Sequence, residues 1–412
     1  MTRRAIVIGG SMGGMFAANF LHRAGWSVRV LEKSAVALTS RGTGIVTNDG
    51  LRTLLHMAGV DPDAPLGFEI RRRMVIDTAG TTLAQVERPQ TMTAWSRLLG
   101  LLQRALPADR YHLGRTAIAV DPGDAQRAAR VRLADGACID ADLVVVADGV
   151  RSSFRTPLFD APPPVAAGYV AWRSLVPLSR LGDDDRAWIE RNFVFALAPG
   201  EEIVAYPVLG EDGTVMVNVV WYRDTSDDTL RELLTDAAGR YYPDGIAPQS
   251  IRRGFIDAAM REARASLHAR WSRILSVSTD WMLQVIVDSR TPRMNAGRVA
   301  LVGDAAFVAR PHVGQGVTKA GGDALALAEA VADPAIDVAS ALASYSTRRV
   351  PVGEYAVDLA RRLGAVVYRD PAACTPDQSL HAAHYRDAGH LLADSAVELD
   401  QVANLGAVSA RS

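Results

Sequence analysis

The segment Arg4-Ala-Ile-Val-Ile-Gly-Gly-Ser-Met-Gly-Gly14 constrains this chain more than any other. Its apolar run from Ala5 to Ile8 reads as a buried parallel strand, the glycines as a tight turn, and the Ala/Leu-rich stretch that follows as a helix ending near Gly25. A second apolar strand, Val28 to Leu31, stops at Glu32. Strand, glycine turn, helix, strand and acid in that order are the βαβ dinucleotide fingerprint. The first glycine lets the chain turn off the strand, the second position admits a pyrophosphate to the backbone, and the third lets helix and strand pack closely. Gly9 and Gly14 fill the first and third positions. Ser11 holds the middle one, where its Cβ narrows the approach while its hydroxyl can bond a phosphate oxygen. A register on Ile8, Gly10 and Gly13 lacks the leading glycine. Glu32 follows Gly9 at roughly the 20-residue offset at which an acid accepts from ribose hydroxyls. A glycine-rich turn in an ordinary α/β domain remains the bland alternative.

The rest of the chain gives that turn a setting. With 412 residues it is long enough for two domains, and 49% apolar with 22% charged residues describes a globular protein with a large core. A net charge of −1 gives no electrostatic reason to expect nucleic acid or an acidic membrane as partner. Cys138 and Cys374 do not make a disulfide framework, no apolar run reaches the roughly 18 residues of a membrane helix, and the N-terminus shows no leader pattern. A cytoplasmic address is expected. No metal site is read.

Downstream, helices are expected over about Asn48 to Ala58 and after Thr93, which is placed as a cap, with Leu98, Leu99, Leu102 and Leu106 at helical spacing. Phe68 to Val86 reads as a hairpin broken at Ala79-Gly80. Short strands are expected at Thr116 to Val120, Ala129 to Leu133 and Leu143 to Val146. Beyond Pro162-Pro-Pro164, four strands (Tyr169 to Val176, Phe193 to Leu197, Ile203 to Val208, Val215 to Tyr222) suggest an antiparallel sheet. Helices follow at Asp228 to Ala238 and Ile256 to Ala263, then a parallel-type strand at Arg298 to Val302. The last hundred residues read as mainly helical, with Pro351 a kink or break. The expected fold is α/β: a three-layer, Rossmann-like cofactor domain over 1–65, 91–163 and 280–345, an inserted mainly antiparallel sheet for substrate over 66–90 and 164–279, and a helical segment over 346–412.

Two more motifs join the first. Asp142-Leu-Val-Val-Val-Ala-Asp148-Gly149-Val-Arg-Ser152-Ser-Phe-Arg155 brings a strand to an Asp-Gly turn. Gly297-Arg-Val-Ala-Leu-Val-Gly303-Asp304 brings another to Gly-Asp, followed by Arg310-Pro-His312-Val-Gly314-Gln315-Gly316. With these in place the chain resembles the FAD-dependent aromatic hydroxylases of the p-hydroxybenzoate hydroxylase class, most closely their hydroxypyridine-hydroxylating members. The resemblance runs over nearly the whole chain and includes Gly42-Thr-Gly-Ile-Val46, Gly168-Tyr-Val-Ala-Trp-Arg173, Tyr206-Pro207 and Trp221-Tyr222. Phe307, where many members carry His, and Thr318, where many carry Asn, depart from the pattern.

The resemblance implies a resident FAD, held at Gly9, Ser11, Met12, Gly14, Glu32 and Lys33, at Arg41 and Gly44, and at Arg97 for the phosphates. It further implies Asp148-Gly149 where flavin and an incoming NADH or NADPH are recognised, Gly303-Asp304 on the ribityl chain, and Pro311, Gly314, Gln315 and Gly316 beside the flavin. A helix beginning at Gly314 to Gly316 would stabilise negative charge at the flavin N1–C2=O edge, and tight packing alone also accounts for those glycines. Arg97 read without the resemblance is a surface arginine. The implied chemistry is reduction of FAD by NAD(P)H, reaction with O₂ to a C4a-hydroperoxide, and hydroxylation of an electron-rich phenol or hydroxylated N-heterocycle, in a possible homodimer.

His312 is the first candidate for a base that deprotonates the ring hydroxyl, since imidazole titrates near neutrality; a histidine that only bonds the loop or flavin edge is the competing reading. Asn218 and Tyr222 share one strand face at period two, and Tyr206 lies on the preceding strand, so these three can contact substrate, with Tyr222 also a catalytic candidate and Thr47 a weaker substrate contact. Core packing explains strand aromatics equally well. Epoxidation, Baeyer–Villiger insertion or oxidation of a natural-product intermediate, and a non-enzymatic flavin-binding role, stand as alternatives. Flavin halogenation is disfavoured because no Trp-x-Trp-x-Ile-Pro segment is present.

Overall fold

A computed structural model of the chain describes residues 2–38, 44–210, 212–278, 280–369 and 376–395. The opening motif folds as β1 (Arg4–Ile8), α1 (Met12–Arg23) and β2 (Ser27–Leu31). There follow β3 (Gly44–Thr47), α2 (Asp49–Met57), β4 (Phe68–Ile76), β5 (Thr82–Ala94), α3 (Trp95–Ala105), β6 (Tyr111–His112), β7 (Ala117–Asp121), β8 (Ala129–Leu133), β9 (Cys138–Ala141) and β10 (Leu143–Val146). The middle of the chain forms α4 (Arg155–Phe159), β11 (Val165–Pro177), α5 (Asp183–Ile189), β12 (Asn192–Ala198), β13 (Glu201–Leu209), β14 (Val215–Asp224), α6 (Asp227–Leu233), β15 (Gly245–Ile246), α7 (Arg253–Ser266), α8 (Ala269–Ser276) and β16 (Met282–Asp288). The last elements are β17 (Asn295–Ala296), β18 (Val299–Leu301), α9 (Gly316–Ala330), α10 (Val338–Gly364), α11 (Pro376–Tyr385) and α12 (Ala388–Asp394).

A six-stranded sheet has the order β17-β18-β10-β1-β2-β6, parallel throughout except for β17 at its edge. Every side chain of β10 and β18 is buried, as strands covered on both faces require. The helices α1, α3 and α9 and the three-stranded sheet β7-β8-β9 supply that cover, giving three layers. Because the strands run parallel, Gly9, Glu32, Ala147 and Val302 all follow the carboxyl ends of neighbouring strands. In an open α/β sheet that edge is where ligands bind.

The second sheet has nine strands, β15-β16-β11-β14-β13-β12-β4-β5-β3. Alternation gives it two different faces. Val217, Val219 and Trp221 pack with Trp172, Trp271 and Trp281 on the outer face, under α7 and α8. Val220 and Tyr222 pack with Tyr169, Val204, Tyr206, Val313 and Leu363 on the inner face, against the C-terminal helices and the turn before α9.

Several expectations are corrected. Thr93 caps nothing: it lies in β5, Ala94 holds the N-cap position of α3, and the Thr93 hydroxyl is 2.7 Å from that of Thr47. The helix drawn from Asp228 to Ala238 ends at Leu233, because Thr235 turns back to bridge Tyr241. Pro351 does not end its helix, since α10 runs from Val338 to Gly364 and crosses the 345/346 boundary. The large sheet is mainly antiparallel, as expected, and departs from that along its strand order only where β12 pairs in parallel with β4, a contact between strands far apart in sequence. Strands β3 and β16, placed by sequence with the cofactor domain, hydrogen-bond into the large sheet. Helices α5 and α8 were not foreseen.

Candidate active site

The turn after β1 has the shape the fingerprint demands. Gly9 has φ +105°, and a Cβ there would lie 2.3 Å from the Ala147 carbonyl oxygen. At Gly14 a Cβ would lie 1.9 Å from the Gly9 carbonyl oxygen, so helix and strand meet only through glycine. Ser11 is the N-cap residue of α1, and its hydroxyl makes no capping bond. Met12, in the first helical position, is buried, and Lys33 is exposed. Glu32, 6% exposed, accepts from Gly10 N at 2.9 Å and Ser34 N at 2.8 Å, which fixes its carboxylate beside the glycine turn.

The other two motifs reach the same edge. Asp148 accepts from Ser153 N at 3.0 Å through one carboxylate oxygen, while the other is buried without a partner; burial pushes its carboxyl above the usual range. Asp304 is solvent-accessible yet closely surrounded by protein atoms, and that surrounding raises its carboxyl too. Arg155, 2% exposed, ties the motifs together by donating to the carbonyls of Val150, Asp304 and Ala305. Lys319 donates to the Gly303 carbonyl and to Asp323, both at 3.0 Å, while Asp323 accepts from Gly303 N at 3.1 Å and pairs with Arg349 at 2.8 Å. The Gly303-Asp304 turn is therefore clamped from below by a buried ionic network. An orphaned carboxylate oxygen at Asp148, an open hydroxyl at Ser11 and an accessible carboxylate at Asp304 fit a dinucleotide with hydroxyl and phosphate groups. Arg41 lies outside the described residues. Arg97 donates to the carbonyls of Pro65 at 2.7 Å and Gly210 at 3.2 Å, joining two loops.

Between this edge and the large sheet runs the turn Pro311–Val313, followed by Gly314 (φ +63°) and by Gln315, the N-cap residue of α9; Gly314 and Gly316 are exposed. His312 leaves this turn for the inner face of the sheet, and its side chain is 3% exposed. Its Nε2 is 2.8 Å from the Tyr169 hydroxyl and its Nδ1 is 2.8 Å from Glu202 Oε2. The Tyr222 ring lies 4.3 Å from the imidazole, centre to centre. Both ring nitrogens are thus engaged by protein. Arg310, one residue before Pro311, makes hydrogen bonds of 2.9–3.1 Å to the Asp288 carboxylate and donates to the Tyr368 hydroxyl at 3.0 Å, and Arg361 reaches the same Asp288 at 2.9 Å. Burial drives the Tyr169 hydroxyl well above its usual pKa, so it stays a neutral donor.

The sequence-predicted substrate residues share the inner face. Tyr206 and Asn218 are register partners, and Tyr222 is the partner of Glu202. Tyr206 donates to the Gly44 carbonyl at 2.9 Å and stacks on Phe193 at 4.4 Å; burial pushes its hydroxyl up to about 12. Thr47 is committed to Thr93. Asn218 is fully buried beside the Tyr206 hydroxyl, which its amide stabilises by hydrogen bonding against the effect of burial, although neither amide atom meets strict hydrogen-bond geometry. Glu202, Tyr169, Arg173 and the Lys319–Asp323–Arg349 network escaped the sequence reading. For Glu202 and Arg173 a signal existed: each is a charged residue at an inward position of an otherwise apolar strand.

Comparison with known proteins places this geometry. Residues 166–288 match the FAD binding domain-like family. The chain is 29% identical over 367 residues to 2,6-dihydroxypyridine 3-monooxygenase of Paenarthrobacter nicotinovorans, covering 88% of this chain and 91% of that protein. It is also 29% identical over 409 residues to 3-amino-4-hydroxybenzoate 2-monooxygenase of Streptomyces cremeus, covering 94% and 93%. Among solved structures, 2,6-dihydroxypyridine-3-hydroxylase from Arthrobacter nicotinovorans superimposes with a TM-score of 0.83 at 28% identity, over 92% of this chain and 96% of that one. The motifs at the carboxyl edge, the inserted sheet and this agreement over nearly full length lead to one assignment: the chain is an enzyme of the FAD-dependent monooxygenase class.

Proposed function

We propose that this enzyme hydroxylates a small, electron-rich aromatic ring carrying a hydroxyl group, a hydroxypyridine or a phenol, with NADH or NADPH as reductant. The observation that supports it best is the polar inner face of the large sheet, where Tyr169, His312, Glu202 and Tyr222 meet beside the Pro311–Gly316 turn. Relatives named for hydroxypyridine and aminohydroxybenzoate substrates support the same reading.

Bound FAD supplies reducing equivalents from the nicotinamide to O₂ and so an electrophilic oxygen for the ring. Glu32 would hold the ribose, Ser11 and the α1 N-terminus the phosphates together with Arg97, and Asp304 the ribityl chain, with the α9 N-terminus toward the flavin. The chain's own task at the ring is to place it, exclude water and manage the proton of its hydroxyl. With Nδ1 protonated toward Glu202, 2.8 Å away, His312 would accept from the Tyr169 hydroxyl at Nε2, and the carboxylate would thereby favour that imidazole tautomer. His312 in this reading holds a proton within a buried relay. The Tyr222 hydroxyl makes no hydrogen bond among the described residues and is the group left to meet the substrate hydroxyl. The division into cofactor and substrate domains, the homodimer and the cytoplasmic address belong to the same reading; among the described residues no helix is long and apolar enough to cross a membrane.

Stopped-flow reduction of the FAD-loaded protein by NADH and NADPH, with and without 2,6-dihydroxypyridine and 3-amino-4-hydroxybenzoate, tests it. Substrate should accelerate flavin bleaching. Bleaching at one rate whatever ring is added would contradict the proposal.

A further inference from the structure

The chain carries 45 basic residues, of which only Lys33 and Lys319 are lysines. Lys33 is exposed, whereas the Lys319 side chain, in the first turn of α9, is 1% exposed. A chain that otherwise uses arginine keeps a lysine at a buried position for its shape, a compact ammonium with three donors on a flexible stem. The surroundings suit that shape. They offer the Gly303 carbonyl at 3.0 Å, Asp323 Oδ2 at 3.0 Å and the Phe307 ring, whose centre is 6.0 Å from Nζ. Phe307 is one of the two residues that depart from the family pattern. A histidine in its place could take up a second positive charge beside the ammonium; a phenyl ring cannot. Helix α10 holds that ring, since a Cβ on Gly353 would lie 2.2 Å from it.

Asp323, one helical turn after Lys319, answers only part of the charge. Its Oδ2 accepts from Lys319 and, at 3.1 Å, from the Gly303 N–H, while its Oδ1 accepts from Nε and Nη2 of Arg349, both at 2.8 Å. Two cations meet one carboxylate, and none of the three residues is more than 9% exposed. One positive charge is left over. Packing does not call for it, because a neutral pair would fill the same space at a smaller desolvation cost.

The surplus lies beneath the turn that faces the cofactor. Both backbone polar groups of Gly303 are held by the cluster, and Asp304 is the next residue. Asp304 feels the attraction of Lys319 more strongly than the repulsion of Asp323, so the field reaching it is positive. Arg155, the other buried cation at this edge, faces Asp148 and Asp304 and is offset by them. The same turn touches both helices whose N-termini are directed at the cofactor: a Cβ on Gly303 would lie 3.2 Å from the Ala320 Cβ of α9 and 3.8 Å from the Gly13 Cα of α1.

Uptake of a hydride gives a flavin two electrons and one proton, and so one more negative charge. We propose that the Lys319–Asp323–Arg349 cluster supports that charge: its unanswered cation, seated behind the Gly303–Asp304 turn, favours reduced over oxidised FAD and raises the reduction potential. The three are positioning residues, acting through the turn and through their field. The proposal rests on FAD being resident at this edge and is independent of which ring the enzyme hydroxylates.

The test is the midpoint potential of the FAD-loaded full chain, measured by equilibration with a reference dye during slow reduction, with the affinity for oxidised FAD measured alongside. Lys319→Met and Arg349→Met each remove one positive charge and should shift the balance toward oxidised FAD by about tenfold, about 30 mV lower at two electrons. Asp323→Asn removes the negative charge of the cluster and should shift the balance the other way by about threefold or more. Opposite signs are the signature of charge, because a damaged clamp does not distinguish the sign of the charge removed. Lys319→Arg, which keeps the charge and loses the fit of the ammonium, should stay within about threefold of wild type. Lys319→Met and Arg349→Met both within about twofold of wild type, a shift of all three charge-removing variants in one direction, or loss of oxidised FAD from Lys319→Met and Lys319→Arg alike would overturn the proposal and leave the cluster a structural clamp. The hydroxylase reading is decided by ring product and survives each of these outcomes.

Discussion

Two buried arginines on neighbouring parts of this molecule are treated in opposite ways. Arg310 is saturated by Asp288 and the Tyr368 hydroxyl, with Arg361 closing the far side of the same carboxylate. Arg173 has its Nε buried without a hydrogen-bond partner. The first arrangement returns the cost of burying charge through geometry and fixes the turn that carries His312. The second leaves part of that cost standing. The saturated cluster at Arg310 builds the scaffold, whereas Arg173 Nε is buried with no partner.

That contrast is breakable. The largest expected effect is at the saturated site. Asp288→Asn strands two guanidinium groups and should cost about 3–5 kcal/mol in urea unfolding of the FAD-loaded protein. Arg173→Gln removes an unpaired charge and should leave stability within about 1 kcal/mol of wild type, or raise it. Equal destabilisation by the two substitutions would make Arg173 a structural residue and erase the distinction.

Next in size are the effects along the His312 chain. Replacing His312 by Asn should slow ring hydroxylation by about 100-fold with FAD retained, and Glu202→Gln by about tenfold, each in kcat more than in KM. A rise in KM alone would reduce this chain to a wall of the pocket. Smaller still is Tyr206→Phe, which strands the Gly44 carbonyl: about 1 kcal/mol of stability, with ring affinity unchanged.

The smallest effect concerns acid. Burial raises the Asp323 carboxyl, but Lys319 and Arg349 pull it further down, so the net shift is below its ordinary 3.8. A depressed carboxyl contributes stability that is complete above 3.8 and is lost as pH falls through the lower, folded value. Urea midpoints should accordingly drop below pH 4, and Asp323→Asn, though less stable at neutral pH, should lose part of that acid dependence.

Most of the scaffold was legible because its determinants are local. The βαβ turn, the Asp148-Gly149 and Gly303-Asp304 motifs and the four central strands depend on glycine geometry and period-two patterning within a few residues. The pairing of β12 with β4 and the recruitment of β3 and β16 depend on contacts between distant segments, which no local pattern encodes. The site divided in the same way. Asn218, Tyr206 and Tyr222 were placed on one face by alternation. The partners of His312 were not, because Tyr169 and Glu202 come from strands on either side of the one carrying Tyr222 and only the folded sheet brings them to one imidazole. Thr47 and Tyr206 had looked free for substrate, and the structure commits their hydroxyls to Thr93 and to Gly44.

The account stands on a hydroxylation at the inner face of the large sheet, and isotope transfer addresses it most directly. Turnover of 2,6-dihydroxypyridine or 3-amino-4-hydroxybenzoate under ¹⁸O₂ with NADH or NADPH should give a product heavier by one ¹⁸O atom on the ring, with incorporation falling in His312→Asn as product formation falls. Reduced pyridine nucleotide consumed with all of the label recovered in hydrogen peroxide or water, and none in any ring product, would contradict it.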